Sequence, residues 1–203
     1  MDLLEPVVRV FLGIFFLMIG LQFSARTLGL YRRMGFSHIN YGARGKATWW
    51  HRHTFNVFRA AILLICLIRI GVDIDPWLGV FPWLYQWPVL LAGMLVLMAS
   101  FTVVNYLQAY MHEDWRSGID EQKAKPAKLV KHGPFARSRN PLFLAVMSGQ
   151  FGFFLALPSV FTLVCLVAGV LVITRQAREE EKALACQFGA AYEEYRKQVP
   201  RWL

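Results

Sequence analysis

The chain has 203 residues, 56% of them hydrophobic and only 17% charged, with a mean hydropathy of +0.39. That is too apolar for an ordinary soluble domain of this length, so a membrane protein is expected. The net charge of +9 lies in the segments between hydrophobic runs rather than on one soluble face, which argues for topology signals and against a nucleic-acid partner.

The first run, Val7 to Leu21, is apolar all round and extends as a helix to about Leu30; the acidic start before it lacks the basic region of a cleaved signal peptide. Between Tyr31 and His53 stand Arg32, Arg33, Arg44, Lys46 and Arg52 with no acid, which by the positive-inside tendency places this loop in the cytoplasm and the N-terminus outside. A second span covers Val57 to Val72, and Arg59 and Arg69 near its ends read as anchors whose stems reach the headgroup layer. The loop from Asp73 to Trp87 holds two acids, no Lys or Arg, and the aromatics of an outer interfacial belt.

A third span, Pro88 to about Tyr110, returns the chain inside, and Met111 to Asn140 carries seven Lys or Arg against four acids. Pro141 then opens an apolar stretch to Thr174 that is interrupted only by Leu157, Pro158 and Ser159. It is too short for two ordinary spans, so a tight helical hairpin is expected, with Gly149 and Gly152 allowing a neighbouring helix to approach closely. From Arg175 onward, Leu184, Phe188, Tyr192, Tyr195 and Val199 recur at helical spacing among charged residues, the pattern of an amphipathic helix at the cytoplasmic face. The expected fold is all-α: a bundle of about five transmembrane helices, with residues 1–110 as an N-terminal set of three and 111–203 as a core comprising a loop, a hairpin and the amphipathic helix.

The glycine-rich turns of soluble nucleotide domains are absent, as are a nucleophile elbow and any His, Cys or carboxylate cluster with metal spacing, and the three cysteines are too scattered for a framework. Two polar constellations remain. One runs from Leu129 through the Gly133–Pro134 turn to Arg137, Arg139 and Pro141, and composition alone makes it a loop with cationic anchors. The other is Arg175 to Glu181, whose acids suit an ordinary solvated helix. If the hairpin brings its two ends together, cationic Arg139 and anionic Glu180 line one pocket suited to a zwitterionic amino acid moiety next to a sulfonium.

The run G-P-F-x-x-S-R-N-P-L-F from Gly133, followed by R-E-E-E-x-x-L-x-x-x-F-G-x-x-Y-x-x-Y from Arg178, resembles the signature of the isoprenylcysteine carboxyl methyltransferase and phospholipid methyltransferase group of membrane enzymes. Trp115 to Asp120 are similar to an upstream element of bacterial members, and the resemblance covers roughly Trp115 to Trp202. It implies S-adenosyl-L-methionine as cofactor, held by Lys128, Leu129, Val130, Phe135, Asn140, Pro141, Leu142, Phe143 and Glu180, with Gly133 and Arg139 supporting the turn. Arg139 and Glu180 are the implied catalytic pair, and Glu180 is chosen by its spacing to Leu184 and Phe188. Asn140, Phe143 and Phe135 stand where the family usually has His, Tyr and Tyr, so proton transfer through position 140 is lost while hydrogen bonding is kept. Gln176 stands at the substrate-binding position where carboxyl-methylating relatives place Arg, with Arg175 or Arg178 as possible substitutes.

The expected activity is methyl transfer to a lipidic or amphipathic acceptor, with membrane lipids as further partners and the site facing the cytoplasm from the plasma (inner) membrane. A thiol or phospholipid amine acceptor, a non-catalytic assembly module and a nicotinamide-dependent reductase scaffold are the competing readings, the last requiring more helices than this length provides.

Overall fold

The computed structural model describes residues 4–34, 44–45, 47–111 and 128–203. Its helices are α1 (Leu4–Met34), α2 (Ala47–Gly71), the short α3 (Asp75–Leu78), α4 (Trp87–Met111), α5 (Pro141–Ala156), α6 (Val160–Phe188) and α7 (Ala190–Gln198), with a 3₁₀ turn at Gly133–Ala136. Among the described residues there is no strand, only an antiparallel bridge between Val80 and Ser159. The Trp115–Asp120 element lies outside the described residues.

Four segments are long and apolar enough to cross a bilayer: Leu4–Arg33, His53–Gly71, Trp87–Met111 and Val160–Phe188. The fifth apolar segment, α5, has 16 residues. At 1.5 Å per residue it extends roughly 24 Å, short of a hydrocarbon layer about 30 Å thick.

The expected hairpin forms because the turn is built to stop one helix and start the next. Pro141 opens α5 at its first position, where a missing N–H costs nothing. Ser159 caps α6 by accepting from the Thr162 amide, and the Thr162 side chain answers the Ser159 amide in a capping box. Both residues are fully buried. The α2–α4 connection is tied to this turn, since Phe81 N–H donates to Pro158 O at 2.8 Å and Val160 N–H to Gly79 O at 2.9 Å.

Gly149 and Gly152 do admit a close neighbour, and it is α4 rather than the second arm of the hairpin. A Cβ on Gly152 would lie 2.9 Å from Leu97 N, one on Gly149 would lie 2.5 Å from Ser100 Oγ, and one on Gly93 would collide with the Ala156 backbone. Such small-residue contacts let two backbones approach where no hydrophobic driving force separates helix from lipid. α1 pairs with α2 and meets the α4–α5 unit through aromatic edges, Phe15 on Phe101 at 5.7 Å and Phe16 on Phe153 at 4.8 Å.

Two sequence expectations change. Arg69 is not a headgroup anchor: it is fully buried, and its guanidinium donates to both oxygens of Asp75 (2.5 and 2.9 Å) and to the Tyr85 hydroxyl (2.9 Å). Asp75, the first residue of α3, folds back beside it and neutralises it locally, so no reach to lipid is needed. Arg9 of α1 joins the same cluster through Glu5, Asp73 and Asp75, holding the exposed Asp73 carboxyl below its ordinary range. The charged tail is helical and amphipathic, but divided: α6 runs on unbroken through Arg175 to Phe188, Gly189 turns the chain at φ +52°, and α7 packs Tyr192 and Tyr195 inward.

Candidate functional site at the start of α5

Successive helical residues are rotated by about 100°, so Glu179, Glu180 and Glu181 on α6 face three directions. Glu179 is exposed and pairs with Lys182 at 2.9 Å. Glu180 continues the stripe Cys165, Ala168, Gly169, Val172, Ile173 and Gln176, all of which line an internal cavity. Glu181 continues the buried stripe Gly169, Ile173, Ala177 and turns inward.

Glu181 is the hub of the site. Its carboxylate accepts from Asn140 Nδ2 at 2.8 Å and from Arg201 Nε and Nη2 at 2.9 and 3.1 Å, and it lies 3.2 Å from Arg139 Nη2. Arg139 is thus ion-paired with Glu181, one position beyond Glu180, because the register of α6 aims Glu181 at the loop, while Arg139 and Glu180 both line the cavity. Glu180 instead accepts from the Gln176 amide at 2.9 Å.

The loop before α5 is fastened from the other end of the chain. Arg139 N–H donates to Pro200 O at 3.0 Å, Ser138 Oγ to Arg201 O at 3.2 Å, and Tyr195 hydroxyl to Phe135 O at 2.6 Å. The Glu181 carboxylate raises the Arg201 guanidinium further above its ordinary range. Burial pushes the phenols of Tyr192 and Tyr195 up to about 12. Gly133 adopts φ +61°, and a side chain there would meet the Tyr110 hydroxyl at 2.7 Å, so α4 seats the same turn. Tyr110 and Phe135 stack with centroids 6.3 Å apart.

The cavity has a volume of about 740 Å³ and is bounded by α1, α2, α4, α5 and α6. The end at the start of α5 holds Phe135, Arg139, Asn140, Gln176 and Glu180, and its depth is walled by Phe15, Phe16, Ile19, Phe101 and Phe153. Of the residues singled out from the sequence, Phe135, Arg139, Asn140, Pro141, Leu142, Phe143, Gln176 and Glu180 meet on this cavity. Four do not line it: Lys128 is exposed, Leu129 packs with Tyr192, Tyr195 and Val199, Val130 is half-buried in the preceding segment, and Gly133 sits under Tyr110. The sequence placed Tyr195 on the amphipathic face and Glu181 in the Arg175–Glu181 constellation without marking either as a link to the loop, and Arg201 was passed over. The four-residue stripe ending at Glu181 is the signal that would have found the hub.

Residues 87–191, just over half of the chain, match the model of the phospholipid methyltransferase family. The chain belongs to that family. Searches of curated proteins and of solved structures return no match. Membership in this methyltransferase family, together with four bilayer-length apolar helices, makes the protein an integral membrane protein. The match begins at Trp87 and so takes in α4, α5, α6 and the start of α7. α1 and α2 lie outside it and supply the opposite wall of the cavity.

Proposed function

We propose that this phospholipid methyltransferase family member transfers a methyl group from S-adenosyl-L-methionine to a lipidic or amphipathic acceptor. The observation that carries the reading is a ligand-sized cavity with charged and amide groups at one end and aromatic walls at the other. The residues present suit the cofactor. Glu180 offers an anion for an ammonium group, Asn140 both donates and accepts, Phe135 and Phe143 offer ring faces, and Arg139 Nε is buried with no hydrogen-bond partner among the described residues. The bound cofactor supplies an activated methyl group on a sulfonium.

Direct displacement asks the protein for alignment and exclusion of water. The loop from Phe135 to Asn140, held by the tail, fixes the cofactor side, and the aromatic depth keeps water from the acceptor. An amine acceptor must arrive neutral or lose its proton, and Glu180 is the carboxylate placed to take it, since Glu181 is held between two guanidiniums. Gln176 is neutral and engaged with Glu180, which supports poor activity on prenylcysteine carboxylates. The basic segments around residues 31–53 and 111–140 support an inner-membrane protein with the site on the cytoplasmic side and the N-terminus outside.

Titration calorimetry with S-adenosylhomocysteine on protein in detergent tests the reading. Binding is expected, and Glu180→Gln should weaken it by about 1.5–3 kcal/mol, while Glu193→Gln, in an exposed pair with Arg196, leaves it unchanged. Absence of binding, or equal losses from the two substitutions, refutes it.

A further inference from the structure

Four glutamines among the described residues line the cavity, and three of them are spent on neighbours. Gln22 donates to Asn105, Gln108 accepts from Arg26, and Gln176 donates to Glu180. That is the usual use of an amide on packed spanning helices, where a bond to a neighbouring helix or turn offsets the cost of a polar group near lipid. Gln150 departs from it: its Oε1 is buried with no hydrogen-bond partner among the described residues. Of the side-chain atoms in that condition, this oxygen and Arg139 Nε are the two that belong to residues on the cavity wall.

The local sequence explains where the amide sits. α5 brings Phe143, Val146, Gln150 and Phe153 to the cavity, the three- and four-residue spacing of one helix face, and Gln150 is its polar member. Against it on α6 stands Gly169, where a Cβ would overlap Nε2, Oε1 and the carbon between them. The glycine is a seat for the amide, since a side chain there would expel it. The hydroxyls beside this stretch of α5 are already used, Ser100 on Ala145 O and Ser148 on Leu144 O.

Depth separates the amide from the charged end. Gln150 lies nine residues after the start of α5 and Gly169 eleven residues before Glu180, so the seat is roughly 14 Å along one helix and roughly 16 Å along the other from that end. A buried acceptor left unmade costs free energy that a ligand's donor recovers, and a site built around such a bond rejects the analogue that lacks the donor. The last torsion of a glutamine is soft, so the oxygen can turn toward a ligand while the amide keeps its seat.

We infer that the Gln150 amide, seated on Gly169, is a subsite that accepts a hydrogen bond from a hydroxyl or amide N–H carried within the apolar part of the acceptor. This rests on the methyltransferase reading for the word acceptor, while the binding claim stands on the cavity and the orphaned oxygen. A plain hydrocarbon chain then fits less well than one with a polar group partway along it, and selectivity for the chain is set at mid-depth, away from the reacting methyl group.

The test uses purified full-length protein in neutral detergent, with dodecanol and dodecyl methyl ether as probes that differ in the donated proton. Titrations are run with and without saturating S-adenosylhomocysteine, which fills the charged end, and are corrected for partition into micelles. The saturated protein should bind dodecanol about tenfold tighter than the ether. Gln150→Leu and Gln150→Met should each bring the two probes within about twofold of one another and leave S-adenosylhomocysteine affinity unchanged. Ser148→Ala, at an exposed hydroxyl bonded to its own helix, should keep the full preference. The melting temperature of the empty protein should hold or rise in both Gln150 variants, because an unmet polar group is removed. Absence of a preference in the unmodified protein assigns the oxygen to water and overturns the subsite, as does a preference that survives both Gln150 variants or that Ser148→Ala removes equally. A melting temperature lowered, or S-adenosylhomocysteine binding lost, in both Gln150 variants assigns a structural role and also overturns it. If the unmodified protein fails to bind S-adenosylhomocysteine while the dodecanol preference is present and is lost with Gln150, the methyltransferase reading fails and the subsite stands.

Discussion

The side-chain amide of Asn140 donates to Glu181 Oε1 at 2.8 Å, joining the mouth of α5 to α6 across 41 positions of sequence. Exchange of Asn140 for Asp replaces this donor with a second carboxylate against the first. The protein should lose about 1–3 kcal/mol at neutral pH, read as a lower melting temperature in detergent. The two like charges raise the folded-state pKa of the new carboxyl, so the deficit should shrink as pH falls through that raised value. An unchanged melting temperature at neutral pH would show that the contact does not hold the site together.

Residues after Val199 act on the loop rather than on the bundle. A chain ending at Val199 loses Pro200 O, the acceptor for Arg139 N–H, and the Arg201 fork on Glu181. Hydrogen exchange followed by mass spectrometry should then show about tenfold or faster exchange in a peptide covering residues 133–140, with α5 unchanged. Equal protection in both proteins would mean that the tail only rests on the surface.

Alanine at Gly93 should cost about 1–3 kcal/mol, because its Cβ would strike the Ala156 backbone and force α4 and α5 apart. The same exchange at Gly29, where a Cβ meets nothing within 4 Å, should be neutral or slightly stabilising by helix propensity. The comparison is a pair of thermal melts, and equal melting temperatures would refute the close crossing.

Tyr192 and Tyr195 share a pKa of about 12 and differ in what their hydroxyls do. Burial favours the neutral phenol in the folded state, so each contributes stability that is complete below an unfolded pKa of about 10 and is lost as pH rises toward 12. Exchange of both for Phe should flatten the fall in melting temperature over that window. At neutral pH Tyr195→Phe should cost about 0.5–1.5 kcal/mol by removing the bond to Phe135 O. Tyr192→Phe should cost less, because its buried hydroxyl has no hydrogen-bond partner among the described residues. Equal losses at neutral pH would contradict this assignment.

The spans were legible because a bilayer demands long apolar helices, and the hairpin because Pro158–Ser159 interrupts an otherwise continuous run. The pocket was half legible. The spacing that picked out Glu180 placed it on the cavity, and Asn140 and Arg139 came with the loop motif. What the sequence hid was rotational phase: of three consecutive glutamates, only the packing of α6 decides which one faces the loop. Arg69 was misread for a related reason, since an arginine near a span end looks the same whether it reaches lipid or folds back onto Asp75. Arg201 was invisible because nothing local distinguishes a C-terminal basic residue that closes a pocket from one in water.

The burial of Arg69 bears on how the chain enters the membrane during synthesis. An arginine costs about 2.5–3.5 kcal/mol to insert at the centre of a span and less near its end, where Arg69 sits, and its counter-ion, Asp75, follows only six residues later. Asp75 is in turn shared with Arg9 on α1, so the two arginines of the first and second helices find their counter-ions only as a set with Glu5 and the α2–α4 connection. The first two spans and the turn through Asp75 therefore share one charge cluster, whose members are all synthesised before α4.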